Sequence, residues 1–137
     1  MKRAVLTAAG AIAILAVSTG ATRPQRGVYT QEQARDGAEI YKSACAVCHG
    51  ETLYGSWEIP PLKGLFMANW RGASVGALYD YIGRAMPQMA PGSLSPEDNA
   101  RLVAFLLKEN GMPAGPTALP ADQIALDRLR IDLVRPH

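Results

Sequence analysis

The five residues CAVCH, from Cys45 to His49, constrain this chain more than any other feature. They hold both cysteines and one of the two histidines among 137 residues. On a helical turn, positions i, i+3 and i+4 lie on neighbouring parts of one face. We therefore expect the thiols of Cys45 and Cys48 and the imidazole of His49 to point the same way.

Three familiar uses of paired cysteines fit the sequence poorly. A disulfide between Cys45 and Cys48 would close a loop too short to restrict the unfolded chain much. A redox dithiol needs a helix start in a βαβ context and a lowered thiol pKa, whereas here the predicted helix precedes the pair. A zinc site needs four ligands, or three and a water, and after these three only His137 offers another nitrogen or sulfur ligand.

The spacing C-x-x-C-H is instead the attachment signature of c-type haem. Two thiols placed in this way can add across the two vinyl groups on one edge of a haem and form thioethers. The adjacent imidazole then lies under the iron as its proximal ligand. We therefore expect one haem c, covalently bound through Cys45 and Cys48 and ligated by His49.

The N-terminal residues 1–21 have the layout of a secretory signal peptide. Lys2 and Arg3 precede an apolar run, and small residues follow it. Cleavage after Ser18 or Ala21 would suit a peptidase that requires small side chains. The alternative is an uncleaved membrane anchor, because the uncharged stretch approaches the ~20 residues of a membrane helix. Both interpretations place the functional part outside the cytoplasm, and we expect a periplasmic protein.

The charge of the chain excludes an electrostatic nucleic-acid binder. The sequence has 14 basic and 12 acidic residues, so that removing Lys2 and Arg3 leaves 12 of each sign. These charges are scattered, without the basic stripe that nucleic-acid binding requires.

Helical patterns predict a single domain over residues 30–111. A flexible lead-in, 22–29, precedes it, and a proline-punctuated tail, 112–137, follows as a wrapping or partner-binding segment. Helices are expected from Thr30 to about Cys45, briefly at LFMANW, over ASVGALYDYIGRA to about Ala85, and from Ser95 to Gly111. In the tail, LRIDL alternates like a strand whereas Ala121, Ala125, Leu129 and Leu133 suit a helix, and both remain open.

A second axial ligand would decide whether the iron is closed or open to small molecules. His137 is terminal, which leaves methionine. Met86 stands where a helix ends and the stiff segment MPQMAP begins, a position from which a thioether can be held over a haem face. Met89, in the same segment, is the alternative sixth ligand, whereas Met67 and Met112 are interpreted as core or loop residues.

The order of these motifs resembles class I c-type cytochromes with one haem. The resemblance is carried by the first helix with Gly37 and Tyr41, then CAVCHG, PPLKGLF, Trp70, a helix, MP, and a helix with Phe105. It implies an all-α cytochrome c fold with three or more helices around one covalent haem, in which the first and last helices cross near Gly37 and Phe105. The segment MPQMAPGSLS with AFLLKENGMPAG is similar to cytochrome subunits and haem domains of periplasmic dehydrogenases.

The resemblance also implies two supporting residues. Pro60 matches the proline whose carbonyl accepts a hydrogen bond from the proximal imidazole, here His49. Trp70 falls where an indole N–H often reaches a haem propionate. The chain lacks the lysine excess with which mitochondrial cytochromes c dock, so electrostatic steering should be weak.

The expected function is electron transfer and not catalysis. One electron would be carried on a His/Met-ligated haem c, between a periplasmic dehydrogenase as donor and an oxidase or other cytochrome as acceptor. A further possibility is that the chain is the electron-transfer subunit of a dehydrogenase complex. The alternative is a haem enzyme or gas sensor with an open distal site.

Overall fold

The computed structural model describes residues 27–131, and this part of the chain is helical. Its only β-type pairings are two isolated bridges, between Ser56 and Ile59 and between Ser74 and Arg130. The six helices are α1 (Gln31–Ala44), α2 (Ala46–His49), α3 (Leu65–Trp70), α4 (Val75–Ala85), α5 (Pro96–Glu109) and α6 (Gln123–Asp127). The expected all-α fold is confirmed.

Side-chain caps begin the three longest helices, at the predicted Thr30 and Ser95 and also at Ser74. The hydroxyl of Thr30 accepts a hydrogen bond from the Gln33 N–H, and Ser74 does the same for the Ala77 N–H. Ser95 caps α5 by accepting from the Asp98 N–H, with Pro96 at the first helical position. Each cap satisfies a backbone donor that has no partner within its own helix.

The predicted crossing of the first and last long helices is present, and Gly37 makes it close. A Cβ on Gly37 of α1 would overlap the carbonyl oxygen of Arg101 and lie 2.9 Å from the Cβ of Phe105, both on α5. One turn further along α1, the rings of Tyr41 and Phe105 lie 5.2 Å apart. The glycine therefore lets the two backbones approach.

Helix α5 is the centre of the core. All its residues from Leu102 to Leu107 are buried, so it is covered on every side and not along one stripe. Helices α1 and α4 pack against it, and α6 packs against α4. This central position leaves α2 and the loop that follows it at the side of the α1–α5 pair.

The C-terminal segment runs along the domain as far as Ile131. It contributes the buried side chains of Leu119, Leu126 and Ile131. The sequence left open whether this segment is a helix or a strand, and both are found. Gln123–Asp127 form the short helix α6, and Arg130 forms an isolated β-bridge with Ser74. Backbone hydrogen bonds from Val75 to Leu129 and from Ile131 to Ala73 fix this segment to the start of α4.

Tyr29, the last residue of the predicted lead-in 22–29, is packed against the C-terminal segment, and residues 22–26 lie outside the described residues. Tyr29 is buried, its hydroxyl donates to the carbonyl of Met112, and its own carbonyl accepts from the Gly115 N–H at 2.7 Å. Its partners lie more than 80 positions away, so a local pattern carries no sign of them. The predicted signal peptide, residues 1–21, and residues 132–137 of the tail lie outside the described residues. Within residues 27–131, no helix has the length and apolar character needed to cross a membrane.

Candidate functional site

One helical turn brings Cys45, Cys48 and His49 together. Cys45 ends α1, with its N–H bonded to the Tyr41 carbonyl at 2.9 Å, and its own carbonyl accepts from the N–H groups of Cys48 and His49 at 3.1 and 2.9 Å. The side chain of Cys48 is exposed, that of Cys45 is half-buried, and that of His49 is buried. Both thiols are free. The arrangement leaves one thiol accessible and a second at the edge of the core, beside a sheltered imidazole.

The environment of the thiols does not suit a redox dithiol. Burial, with a smaller effect of the neighbouring Cys48, raises the pKa of Cys45 to about 11. A catalytic dithiol requires the opposite shift, because the thiolate is the nucleophile. Nor do residues 27–131 contain a group of three or more His, Cys, Asp or Glu side chains arranged to hold a metal ion.

The imidazole of His49 has a defined orientation and tautomer. Its Nδ1 lies 3.1 Å from the carbonyl oxygen of Pro60. Since a carbonyl oxygen can only accept, Nδ1 carries a proton, and in the neutral imidazole the lone pair is therefore on Nε2. A neutral imidazole with a free Nε2 and a hydrogen-bonded Nδ1–H is the usual form of a metal-ligating histidine. The residues therefore fit a haem c, with two thiols for the vinyl groups and one nitrogen for the iron.

The loop 50–64 carries Pro60 back to the histidine. Leu53 is buried at its centre and accepts a hydrogen bond from the Leu62 N–H at 2.7 Å. The Gly55 N–H donates to the carbonyl of His49 at 2.9 Å. These contacts fold residues that the sequence marks only as a Gly- and Pro-rich loop into a defined structure beside the imidazole.

Tyr41 links this loop to the helix crossing. Its hydroxyl donates to the carbonyl of Gly50 at 2.6 Å, directly after His49. Burial, and secondarily the proximity of Cys45, raises the pKa of Tyr41 to about 12. The sequence places Tyr41 on the buried face of α1 but offers no sign of this hydrogen bond, because its partner is a backbone atom in a loop.

The loop is also joined to the end of α5. The amide of Asn110 donates to the carbonyl of Leu62 at 2.9 Å, and Lys63 forms a 2.7 Å ion pair with Glu109. This ion pair lowers the pKa of the Glu109 carboxyl. Local sequence patterns give no sign of these pairings, since each spans more than 40 positions.

Trp70 lies at the end of α3 and is half-buried. Its ring packs between those of Phe66 and Tyr81, at centroid distances of 6.2 and 5.7 Å. The indole thus belongs to an aromatic row that joins α3 to α4. A hydrogen bond from Trp70 to a propionate remains a prediction.

The two candidate methionine ligands lie in different environments. Met86 caps the C-terminus of α4, where its N–H bonds to the Ile82 carbonyl at 2.9 Å, and its half-buried side chain packs against the core. The side chain of Met89 is 93% exposed. Met67 and Met112 are buried in the core, which agrees with their interpretation as packing residues.

Comparison with known proteins identifies relatives of this domain. Residues 32–106 match the family described as cytochrome c oxidase, cbb3-type, subunit III. A thiosulfate dehydrogenase of Stutzerimonas stutzeri is 32% identical over 77 residues, which cover 51% of this chain and 25% of that protein. The crystal structure of the sulfane dehydrogenase SoxCD from Paracoccus pantotrophus matches with a TM-score of 0.52 and 26% identity, over 67% of this chain and 50% of that one. The chain thus spans a quarter of the curated relative and half of the structural one.

Proposed function

The chain belongs to the cytochrome c oxidase, cbb3-type, subunit III family, and we propose that it is a periplasmic electron carrier whose haem c is bound by Cys45, Cys48, His49 and Met86. As a cytochrome c domain it is related to the cytochrome components of dehydrogenases, and its role is haem-based electron transfer. The covalent attachment, the ligand pair, the partners and the location are our proposal.

The state of His49 is the observation that carries this proposal. The imidazole is buried and its Nδ1–H is bonded to the carbonyl oxygen of Pro60, which leaves Nε2 as the ring nitrogen that would bind iron. When bound, the haem supplies the one-electron chemistry by cycling between ferric and ferrous iron. The protein's task is to keep the ligand in one orientation in both oxidation states, so that little has to reorganise.

Burial supports Met86 over Met89 as the second ligand. A thioether that packs against the core at a helix end is held in place by its neighbours, whereas one that is almost fully exposed first has to be ordered. A soft axial thioether raises the reduction potential of a haem and closes the iron to other ligands.

The proposed partners are other redox proteins. The relatives are named thiosulfate dehydrogenase and sulfane dehydrogenase, and from this we propose a periplasmic dehydrogenase as the electron donor. The acceptor would be an oxidase or another cytochrome. Residues 1–21 would direct export, with a membrane-anchored periplasmic domain as the alternative.

The visible spectrum of the reduced protein, matured in a host that attaches haem c, tests the proposal. Mass spectrometry of the same sample gives the haem count and the processing of the N-terminus. We expect one haem and a spectrum that carbon monoxide leaves unchanged at neutral pH, because the iron keeps two protein ligands. A prompt shift to a carbon monoxide adduct would reject methionine ligation and favour a haem enzyme or gas sensor with an open distal site.

A further inference from the structure

Gly55 lies at the point where the loop 50–64 turns back toward His49. Its backbone has φ of +69°, a conformation that residues with a side chain rarely adopt. Its N–H donates to the carbonyl oxygen of His49 at 2.9 Å. Gly55 is therefore hydrogen-bonded to the backbone of His49, the residue that we propose as the iron ligand.

The absence of a side chain at this position makes room for the segment that contains Pro60. A Cβ on Gly55 would overlap the carbonyl oxygen of Ile59 and would lie 2.9 Å from the carbonyl carbon and 3.0 Å from the carbonyl oxygen of Pro60. Those are backbone atoms, which cannot rotate away as the end of a flexible side chain can. A side chain here would displace the carbonyl that accepts from His49 Nδ1.

Two other glycines with positive φ show that this backbone conformation does not by itself bring such crowding. Gly64 has φ of +64° and Gly72 has φ of +74°, and a Cβ on either would meet no atom within 4 Å. At those positions glycine satisfies the backbone conformation alone. At Gly55 it satisfies the conformation and also clears the space beside Pro60.

We infer that Gly55 is a positioning residue for the proximal ligand, which sets the hydrogen bond between His49 Nδ1 and the Pro60 carbonyl. Residues 49, 55 and 60 form a closed ring of contacts. The backbone carbonyl of His49 is hydrogen-bonded to the Gly55 N–H, the side chain of His49 is hydrogen-bonded to the Pro60 carbonyl, and Gly55 lies against Pro60. A hydrogen bond at Nδ1 makes the imidazole a stronger electron donor at Nε2 and fixes its plane. Gly55 thereby contributes to the reduction potential without contacting the iron. The effect on the potential rests on the proposed function.

Gly55→Ala and Gly64→Ala form a matched pair that tests this inference. Both add one methyl group to a glycine with positive φ in the same loop, and only the first adds it against Pro60. In the haem-loaded proteins we would measure the midpoint potential by redox titration. In their reduced form we would measure, by nuclear magnetic resonance, the exchange of the His49 Nδ1 proton with solvent. We expect a higher potential in Gly55→Ala and exchange that is about tenfold faster, the factor that corresponds to a lost hydrogen bond of about 1.4 kcal/mol. Gly64→Ala should leave both values unchanged.

Equal potentials and equal exchange in the two variants would overturn the inference and leave the proposed function intact. A haem count of zero in the unmodified protein would instead reject the proposed function. If Gly55→Ala does not fold, hydrogen exchange in the unmodified protein tests the inference instead. A closed ring of contacts requires that the Gly55 N–H and the His49 Nδ1 proton become exposed to solvent in the same opening event. A Gly55 N–H that exchanges freely while the Nδ1 proton stays protected would overturn the inference.

Discussion

The hydroxyl of Tyr41 donates a 2.6 Å hydrogen bond to the carbonyl of Gly50, the residue directly after His49. The ring of Tyr41 meanwhile packs on Phe105 at the crossing of α1 and α5. One side chain thus connects the buried helix α5 to the loop whose Pro60 carbonyl accepts a hydrogen bond from His49.

Replacing Tyr41 by Phe should destabilise the protein while keeping the aromatic packing. The carbonyl of Gly50 would lose its donor, at a cost of about 1 kcal/mol. Chemical denaturation of the haem-loaded protein measures this change. Tyr81→Phe is the control, because the side chain of Tyr81 is 44% exposed and its change should cost much less. Equal effects of the two substitutions would contradict the role assigned to the hydrogen bond.

The same tyrosine should make stability fall at alkaline pH. Its pKa is raised from 10.0 in the unfolded chain to about 12 in the folded protein, mainly by burial. Between these values the folded state holds a proton that the unfolded state has released, so the contribution is complete below pH 10 and is lost as the pH rises toward 12. The free energy of unfolding of Tyr41→Phe should decline less steeply over this window than that of the unmodified protein. Parallel profiles would show that Tyr41 is not the group responsible.

Gly37→Ala should destabilise the domain even though alanine is the better helix former. In an open helix the change would be favourable by up to about 1 kcal/mol. Here the new methyl group would overlap the Arg101 carbonyl and press on Phe105, and crowding of this kind costs about 1–3 kcal/mol. Thermal or chemical denaturation gives the sign. Glu39→Ala, on the exposed side of α1, should change little, and a stabilised Gly37→Ala would refute the close crossing.

Met86→Ala and Met89→Ala should behave differently toward carbon monoxide. Loss of the half-buried Met86 should open the sixth position, so that the reduced protein forms a carbon monoxide adduct. Met89 is 93% exposed, and its loss should leave the spectrum unchanged. The reverse result would assign the ligand to Met89.

The ion pair between Lys63 and Glu109 should stabilise the folded protein at neutral pH and lose this contribution at acid pH. The pKa of Glu109 is lowered from 4.5, chiefly by its hydrogen bond with Lys63. The contribution is therefore complete above pH 4.5 and is lost as the pH falls through the folded-state pKa. The side chains are 26% and 21% exposed, so solvent screening limits the effect of Lys63→Met to about 1 kcal/mol or less at neutral pH.

Arg84→Met is the matched control for this ion pair. It breaks a 2.6 Å pair with Asp80 in which the side chains are 72% and 42% exposed. Its removal should have no measurable effect. A difference between Lys63→Met and the unmodified protein that persists at acid pH would contradict the assignment to Glu109.

The sequence by itself determined the elements whose signals are local. Thr30 and Ser95 could be predicted as caps because each lies three positions before the N–H from which it accepts a hydrogen bond. The expectation that Cys45, Cys48 and His49 share one face follows from the helical repeat alone. The glycine at position 37 indicated a close crossing only once the order of motifs suggested the family. The helical family fold was predictable for the same reason, since it is built from local periodicity and from motifs in a fixed order.

Only the tertiary structure decided how the site is held. The hydrogen bond from Tyr41 to Gly50, the space that Gly55 leaves beside Pro60, and the ion pair of Lys63 with Glu109 all depend on loop backbone meeting distant residues. The packing of Tyr29 against residues 112–115 likewise depends on partners that are distant in the sequence. Such contacts leave no periodic trace in the sequence, because a loop's path is set by the surfaces it crosses and by the few carbonyls and amides it has to satisfy there.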